Sequence, residues 1–260
     1  MKYLLAAVML LLAAQSPAQV WQESAEVGKL FADAGVPGTF VLYDADTGRL
    51  TGHNRARAET RFIPASTFKI ANSLIGLSVA AVSSADEILP YGGKPQPIKA
   101  WEQDMSLRMA IKISNVPVYQ ELARRIGLGR MRDAMAKIGF GNGDIGDAVD
   151  NFWLVGPLKI SAVEQTAFLA RLARSELPFP KEVQAQVREI VQLEQGDGWA
   201  LYGKTGWASA QNPGIGWWVG WVLKQNHLYS FALNIDMAKA SDAAKRIELG
   251  KSSLKALGVL

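Results

Sequence analysis

Ser66 and Lys69 stand three residues apart in the run Pro64-Ala65-Ser66-Thr67-Phe68-Lys69. A serine hydroxyl is inert until a base takes its proton, and lysine serves as that base only when its amine is neutral or chemically altered. Proline suits the first turn of a helix, and side chains three apart on a helix share a face, so the two groups come within hydrogen-bonding reach. The unpaired N–H groups and the positive end of the dipole at a helix start favour a developing oxyanion. Phe68 and Ile70 supply apolar surroundings, which lower an amine pKa. The spacing alone is unspecific, because Ser252 and Lys255 repeat it in the last predicted helix. There it reads as a solvent-facing turn.

Two further groups of polar residues could act with Ser66. Ser114-Asn115-Val116 opens a predicted helix in the middle of the chain, where Ser114 could equally be its N-cap. Lys204-Thr205-Gly206 lies in a predicted strand: glycine there lets a ligand backbone approach closely, and lysine and threonine could grip a carboxylate. The alternative is a bulge at Gly206 and an edge-strand charge at Lys204. The two histidines, His53 and His227, fall at a predicted strand end and beside a predicted hairpin turn. Neither suits a Ser-His-Asp triad, and two isolated histidines argue for no metal site. With no cysteine there is no thiolate nucleophile, disulfide or zinc–sulfur centre.

The elements that must position these residues fall into three blocks. A helix over 23–34 precedes a hairpin of 38–44 and 49–53 about Asp46-Thr47-Gly48. Amphipathic helices then follow at 65–79, 106–112, 116–126, 129–138, 162–174 and 180–193. Strands return at 202–207, 216–223 and 228–235, the last two joined by Gln225-Asn226, before a final helix over 243–257. The economical arrangement is an α+β fold. One antiparallel sheet is built from both chain ends, 19–63 and 198–260, flanked by the first and last helices, with an all-helical lobe inserted over 64–197. The cleft between them collects residues near 66, 115 and 205.

Of the 260 residues 49% are apolar, enough for a packed core. The net charge of +4 is scattered and forms no basic block, so nucleic acid is not an expected partner. Residues 1–18 have the layout of a secretory signal peptide: Lys2, an apolar run over 3–14, then Ser16 and Ala18. That run is too short to span a bilayer. The expectation is a periplasmic chain starting near Gln19, with no membrane association after cleavage.

Taken in order, Ser66-Thr67-Phe68-Lys69, Ser114-Asn115-Val116 and Lys204-Thr205-Gly206 resemble the motifs of the penicillin-recognising serine enzymes, with their β-lactamase-like fold. The set is most similar to that of the class D, oxacillinase-type, β-lactamases. Phe140-Gly141-Asn142, Phe152-Trp153-Leu154, Ile160 through Gln165 and Pro213 through Trp221 extend the resemblance over nearly the whole mature chain. Phe140 stands where tyrosine is commoner, and Trp207 where phenylalanine often is.

The resemblance implies hydrolysis of the β-lactam ring of penicillin-type antibiotics through a Ser66 acyl-enzyme, conferring resistance. It implies no separate cofactor, only a CO2-derived carbamate on Lys69 as general base, sheltered by Val116 and Trp153. Backbone N–H groups of Ser66 and Trp207 would form the oxyanion hole, and Ser114 and Lys204 would relay a proton to the leaving nitrogen. Lys204, Thr205, Gly206 and Arg246 would bind the substrate, although Arg246 could instead pair with Glu248 or Asp242. The partner implied is a small-molecule β-lactam, met by a monomer or homodimer. A D-alanyl-D-alanine peptidase or transpeptidase and a non-catalytic β-lactam sensor are the alternatives.

Overall fold

Both ends of the chain feed one seven-stranded sheet in the computed structural model, which describes residues 20–260. The signal-peptide reading of residues 1–18 lies outside the described residues. The chain enters through β1 (Trp21–Glu23), α1 (Ala25–Ala34), β2 (Gly38–Asp44), β3 (Leu50–His53) and α2 (Arg55–Glu59). A 3-10 turn over Ala65–Phe68 runs into α3 (Lys69–Ser78). The short strands β4 (Ile88–Leu89) and β5 (Met105–Ser106) come next. Then follow helices α4 (Leu107–Lys112), α5 (Val116–Ile126), α6 (Leu128–Ile138), α7 (Phe152–Val155), α8 (Ala162–Ala173) and α9 (Lys181–Ile190). Strands β6 (Gln192–Gly196), β7 (Trp199–Ala208), β8 (Gly214–Lys224) and β9 (His227–Met237) complete the sheet, and α10 (Lys245–Ala256) ends the chain. No helix among the described residues is long and apolar enough to cross a membrane.

The strand order is β1-β3-β2-β9-β8-β7-β6, so β2 from the N-terminal part pairs with β9 from the C-terminal part. Every pairing in the sheet is antiparallel except β1 with β3, which is parallel and corrects the expectation of a purely antiparallel sheet. The helix expected over 180–193 stops at Ile190, and Gln192–Gly196 forms an edge strand instead. Leu193 is its one large apolar residue and most of the strand is exposed, so neither alternation nor β-branching marks it.

Side-chain alternation assigns the two faces of the sheet. On β8, Trp217, Val219 and Trp221 turn into the core shared with the helical middle of the chain, whereas Trp218 and Val222 turn into the core beneath α1 and α10. All three indoles are at most 1% exposed. Each removes about 150–250 Å2 from water, on the order of 4–6 kcal/mol before chain entropy is subtracted. Helix α10 approaches the sheet closely because Gly250 faces Trp218: a Cβ there would lie 2.1 Å from the indole.

Candidate active site

The nucleophile sits on a tighter turn than the helix expected over 65–79. Residues 65–68 are 3-10, in which side chains at i and i+3 eclipse, and the Lys69 N–H bonds the carbonyls of Ser66 and Thr67. The result is an Nζ–Oγ distance of 2.8 Å between Lys69 and Ser66. Ala65, just before the serine, has φ +47°, a left-handed conformation costly for a residue with a Cβ and sustained only where surroundings enforce it. The surroundings do enforce it. The Trp217 indole N–H donates to the Ile63 carbonyl at 2.9 Å, Thr67 Oγ1 donates to the Pro64 carbonyl at 2.8 Å, and the buried Gln165 amide donates to Thr67 Oγ1 at 2.9 Å. Gln165 and Trp217 carried no role in the sequence reading. Both lie in segments that resemble the family, but nothing in their spacing announces a hydrogen bond to residues about 100 or more positions away.

Gly206 also packs against this turn. A Cβ there would stand 2.9 Å from the Pro64 carbonyl oxygen and 3.0 Å from Thr67 Cγ2, so the glycine lets β7 pack directly against the nucleophile turn.

Lys69 is 1% exposed, and its charged form is penalised by that burial first and by the Lys204 charge second. Its amine is therefore held well below the ordinary lysine range. The Tyr119 ring lies 5.3 Å from Nζ, and the Tyr119 hydroxyl is bonded to Ser73 at 2.8 Å. Trp153 is fully buried and stacks on Phe68 at 5.5 Å, and its indole N–H has no hydrogen-bond partner. An unsatisfied buried donor costs about 1–3 kcal/mol, and an added acceptor would relieve it. A buried amine whose charged form is disfavoured and an orphaned indole donor fit a carboxylate carried on Lys69: the neutral form of such an amine is the nucleophile toward carbon dioxide, and the indole is a donor for the resulting anion.

Ser114 does not cap α5. Asn115 does, its Oδ1 accepting from Val118 N at 3.0 Å, while Ser114 takes φ +57° and presents its hydroxyl to Lys204 Nζ at 3.0 Å. Lys204 also donates to the Thr205 carbonyl at 2.9 Å. Burial, and then the charge on Arg246, bring its pKa down to about 7. Arg246 bonds the carbonyls of Gly206 at 2.6 Å and Ala243 at 2.8 Å. Asp242, the alternative partner, pairs with Lys245 instead.

Ser66, Ser114, Val116, Thr205, Trp207 and Arg246 line one cavity of about 540 Å3, with Gly206 also in its wall. A larger hollow of about 720 Å3 beside it, between Asn142 and Gln211, shares only Val155 and Ala210 with it and contains no nucleophile. His53 contacts Glu23 and His227 contacts Asp46. On α10 Lys255 is exposed, and no bond joins it to Ser252.

The Penicillin binding protein transpeptidase domain family matches residues 38–255. Among curated proteins, β-lactamase OXA-5 of Pseudomonas aeruginosa is 39% identical over 235 residues, which are 89% of this chain and 88% of that protein. β-Lactamase OXA-48 of Klebsiella pneumoniae is 37% identical over 238 residues, 92% of this chain and 90% of that one. Among solved structures, FUS-1 (OXA-85), a class D β-lactamase from Fusobacterium nucleatum subsp. polymorphum, is 43% identical. It superposes with a TM-score of 0.89, covering 92% of this chain and 100% of that one. With sequence relatives, superposed fold and the Ser66–Lys69 turn in agreement over most of its length, this chain belongs to the class D β-lactamases.

Proposed function

We propose that this chain hydrolyses the β-lactam ring of penicillin-type antibiotics through an acyl-enzyme on Ser66, and so confers resistance to them. The observation that carries the reading is the 2.8 Å contact of the Ser66 hydroxyl with a buried Lys69 amine, next to a residue packed on the unpartnered Trp153 indole. When Lys69 carries a CO2-derived carboxylate, that group supplies the base for proton removal from Ser66 and later from the hydrolytic water. Trp153 donates its indole N–H to hold Lys69 in that form, while Val116, Phe68 and Tyr119 keep the surroundings apolar.

Ser66 Oγ attacks the strained lactam carbonyl, the C–N bond breaks, and the acyl group stays on the serine. The backbone N–H groups of Ser66 and Trp207 receive the oxyanion, typically about 3–4 kcal/mol per donor. Lys204 passes a proton through Ser114 to the departing nitrogen, using the 3.0 Å contact between them. Thr205 and Arg246 bind the substrate carboxylate, a guanidinium being suited to a planar anion. Residues 1–18 direct export, so the enzyme meets its substrate in the periplasm, as a monomer or homodimer.

Turnover of a chromogenic cephalosporin by the purified chain tests the reading. Wild type and Ser252→Ala hydrolyse it at equal rates, and Ser66→Ala does not. Stoichiometric acylation without turnover would instead favour the peptidase or sensor, and labelling of any other serine would sink the assignment of Ser66.

A further inference from the structure

Asn115, the middle residue of the Ser114-Asn115-Val116 motif, has no part in the chemistry above, yet it is completely buried with both ends of its amide engaged. Oδ1 caps α5 through Val118 N. Nδ2 donates to the Trp101 carbonyl at 3.3 Å and lies 3.6 Å from Met105 Sδ. A second bond runs the opposite way, from the Trp101 indole N–H to the Ile113 carbonyl at 3.1 Å. The 3-10 turn Lys99–Trp101 is therefore tied at two points to the residues immediately either side of Ser114, which holds φ +57° between them.

That turn belongs to a wall of the active-site cavity. Pro97, Ile98 and Trp101 line it together with Ile113. Ile98 is 47% and Ile113 39% exposed, so this wall offers apolar surface with nothing of the protein covering it. The cationic groups, Lys204 and Arg246, are gathered around β7 and suit the substrate carboxylate, which leaves the apolar wall to an uncharged part of the substrate.

We propose that Asn115 is a positioning residue that braces this wall against Ser114, so that one buried amide sets the grip on the apolar acyl side chain of the substrate. The proposal rests on the β-lactam reading above. A capping oxygen alone would be supplied as well by serine, but only an amide both caps α5 and donates to Trp101.

Asn115→Ser keeps the cap oxygen but lacks the second polar atom that reaches the Trp101 carbonyl, and Asn115→Ala removes both. The substrates are a penicillin with a bulky aromatic acyl group and 6-aminopenicillanic acid, which lacks the acyl group. Asn115→Ser is expected to raise KM for the first at least fivefold and leave KM for the second within twofold. It is also expected to speed amide hydrogen exchange in residues 97–104. Asn115→Ala shows the same KM split with a lower Tm. Equal changes on both substrates, or no change on either, would overturn the brace and leave Asn115 a simple cap. Should wild type turn over neither compound, the β-lactam reading fails by itself. The exchange measurement then decides alone: faster exchange over 97–104 supports the brace, and unchanged exchange refutes it.

Discussion

Gly206→Ala should slow the enzyme without touching any group that reacts. The added methyl would lie 2.9 Å from the Pro64 carbonyl oxygen, 3.0 Å from Thr67 Cγ2 and 3.2 Å from Thr67 N, where ordinary contact begins at 3.4 Å. Residues 63–67 must retreat by roughly 0.5 Å, as contacts are restored to normal packing distances. They cannot slide as a block, because Trp217 holds the Ile63 carbonyl and Gln165 holds Thr67. The shift therefore falls on Ala65 and Ser66. Misplacing a reacting group by about 1 Å costs about 100-fold, so half that distance predicts a loss of about tenfold in kcat. Overpacking costs about 1–3 kcal/mol, a fall in Tm of roughly 2–12 °C for a domain of this size. Steady-state hydrolysis and thermal denaturation of the same preparation read both. A kcat within twofold of wild type would refute the claim that contact between β7 and the nucleophile turn sets the reacting geometry.

Trp153→Phe keeps the ring stacked on Phe68 and removes the N–H, so we expect at least tenfold more bicarbonate to be needed for half-maximal turnover, measured by titration after acid decarbonation. Lys204 has its pKa brought down to about 7 by burial and by Arg246. If its protonated form serves the leaving nitrogen, the alkaline limb of kcat/KM falls with a midpoint near that value, and Arg246→Gln moves the midpoint upward. The same depressed pKa has a consequence for folding. The unfolded chain binds the Lys204 proton more tightly, so this residue adds stability as pH rises from about 7 to about 10 and loses it on the way down. Urea denaturation at pH 7, 8.5 and 10 should show that slope in wild type, reduced in Lys204→Met. Trp217→Phe strands the buried Ile63 carbonyl and should cost about 1–3 kcal/mol, read by urea denaturation, with a fall in kcat exceeding any change in KM.

The elements with strong periodicity were legible in the sequence. The three tryptophans of β8 and the apolar residues of β9 could only be buried strands, and α5 and α9 showed their amphipathic faces plainly. The two edge strands were not legible. β1 has three residues and β6 five, mostly exposed, so their pairing follows from neighbours already in place and not from their own side chains. At the site, residue types and order brought attention to Ser66, Lys69, Ser114 and Lys204, and the structure brings them into two short contacts. Backbone geometry was hidden. The 3-10 turn at 65–68 and the left-handed Ala65 are held by Trp217, Gln165 and the packing at Gly206, contacts across about 100 or more residues that no local pattern encodes, and the left-handed Ser114 lies between two residues bonded to Trp101. From residue type alone Ser114 could be either a cap or a partner of the site; Asn115, which carried no role in the sequence, caps α5, and Ser114 faces Lys204.

The most direct test of the central claim, that a buried Lys69 converted to a carboxylate is the base for Ser66, is a bicarbonate titration of the acid-decarbonated enzyme with hydrolysis as the readout. With carboxylated Lys69 as the base, turnover is almost absent at the start and rises saturably to the full rate, and Lys69→Met shows no such rise. Turnover that is full at the outset and indifferent to bicarbonate would contradict that claim.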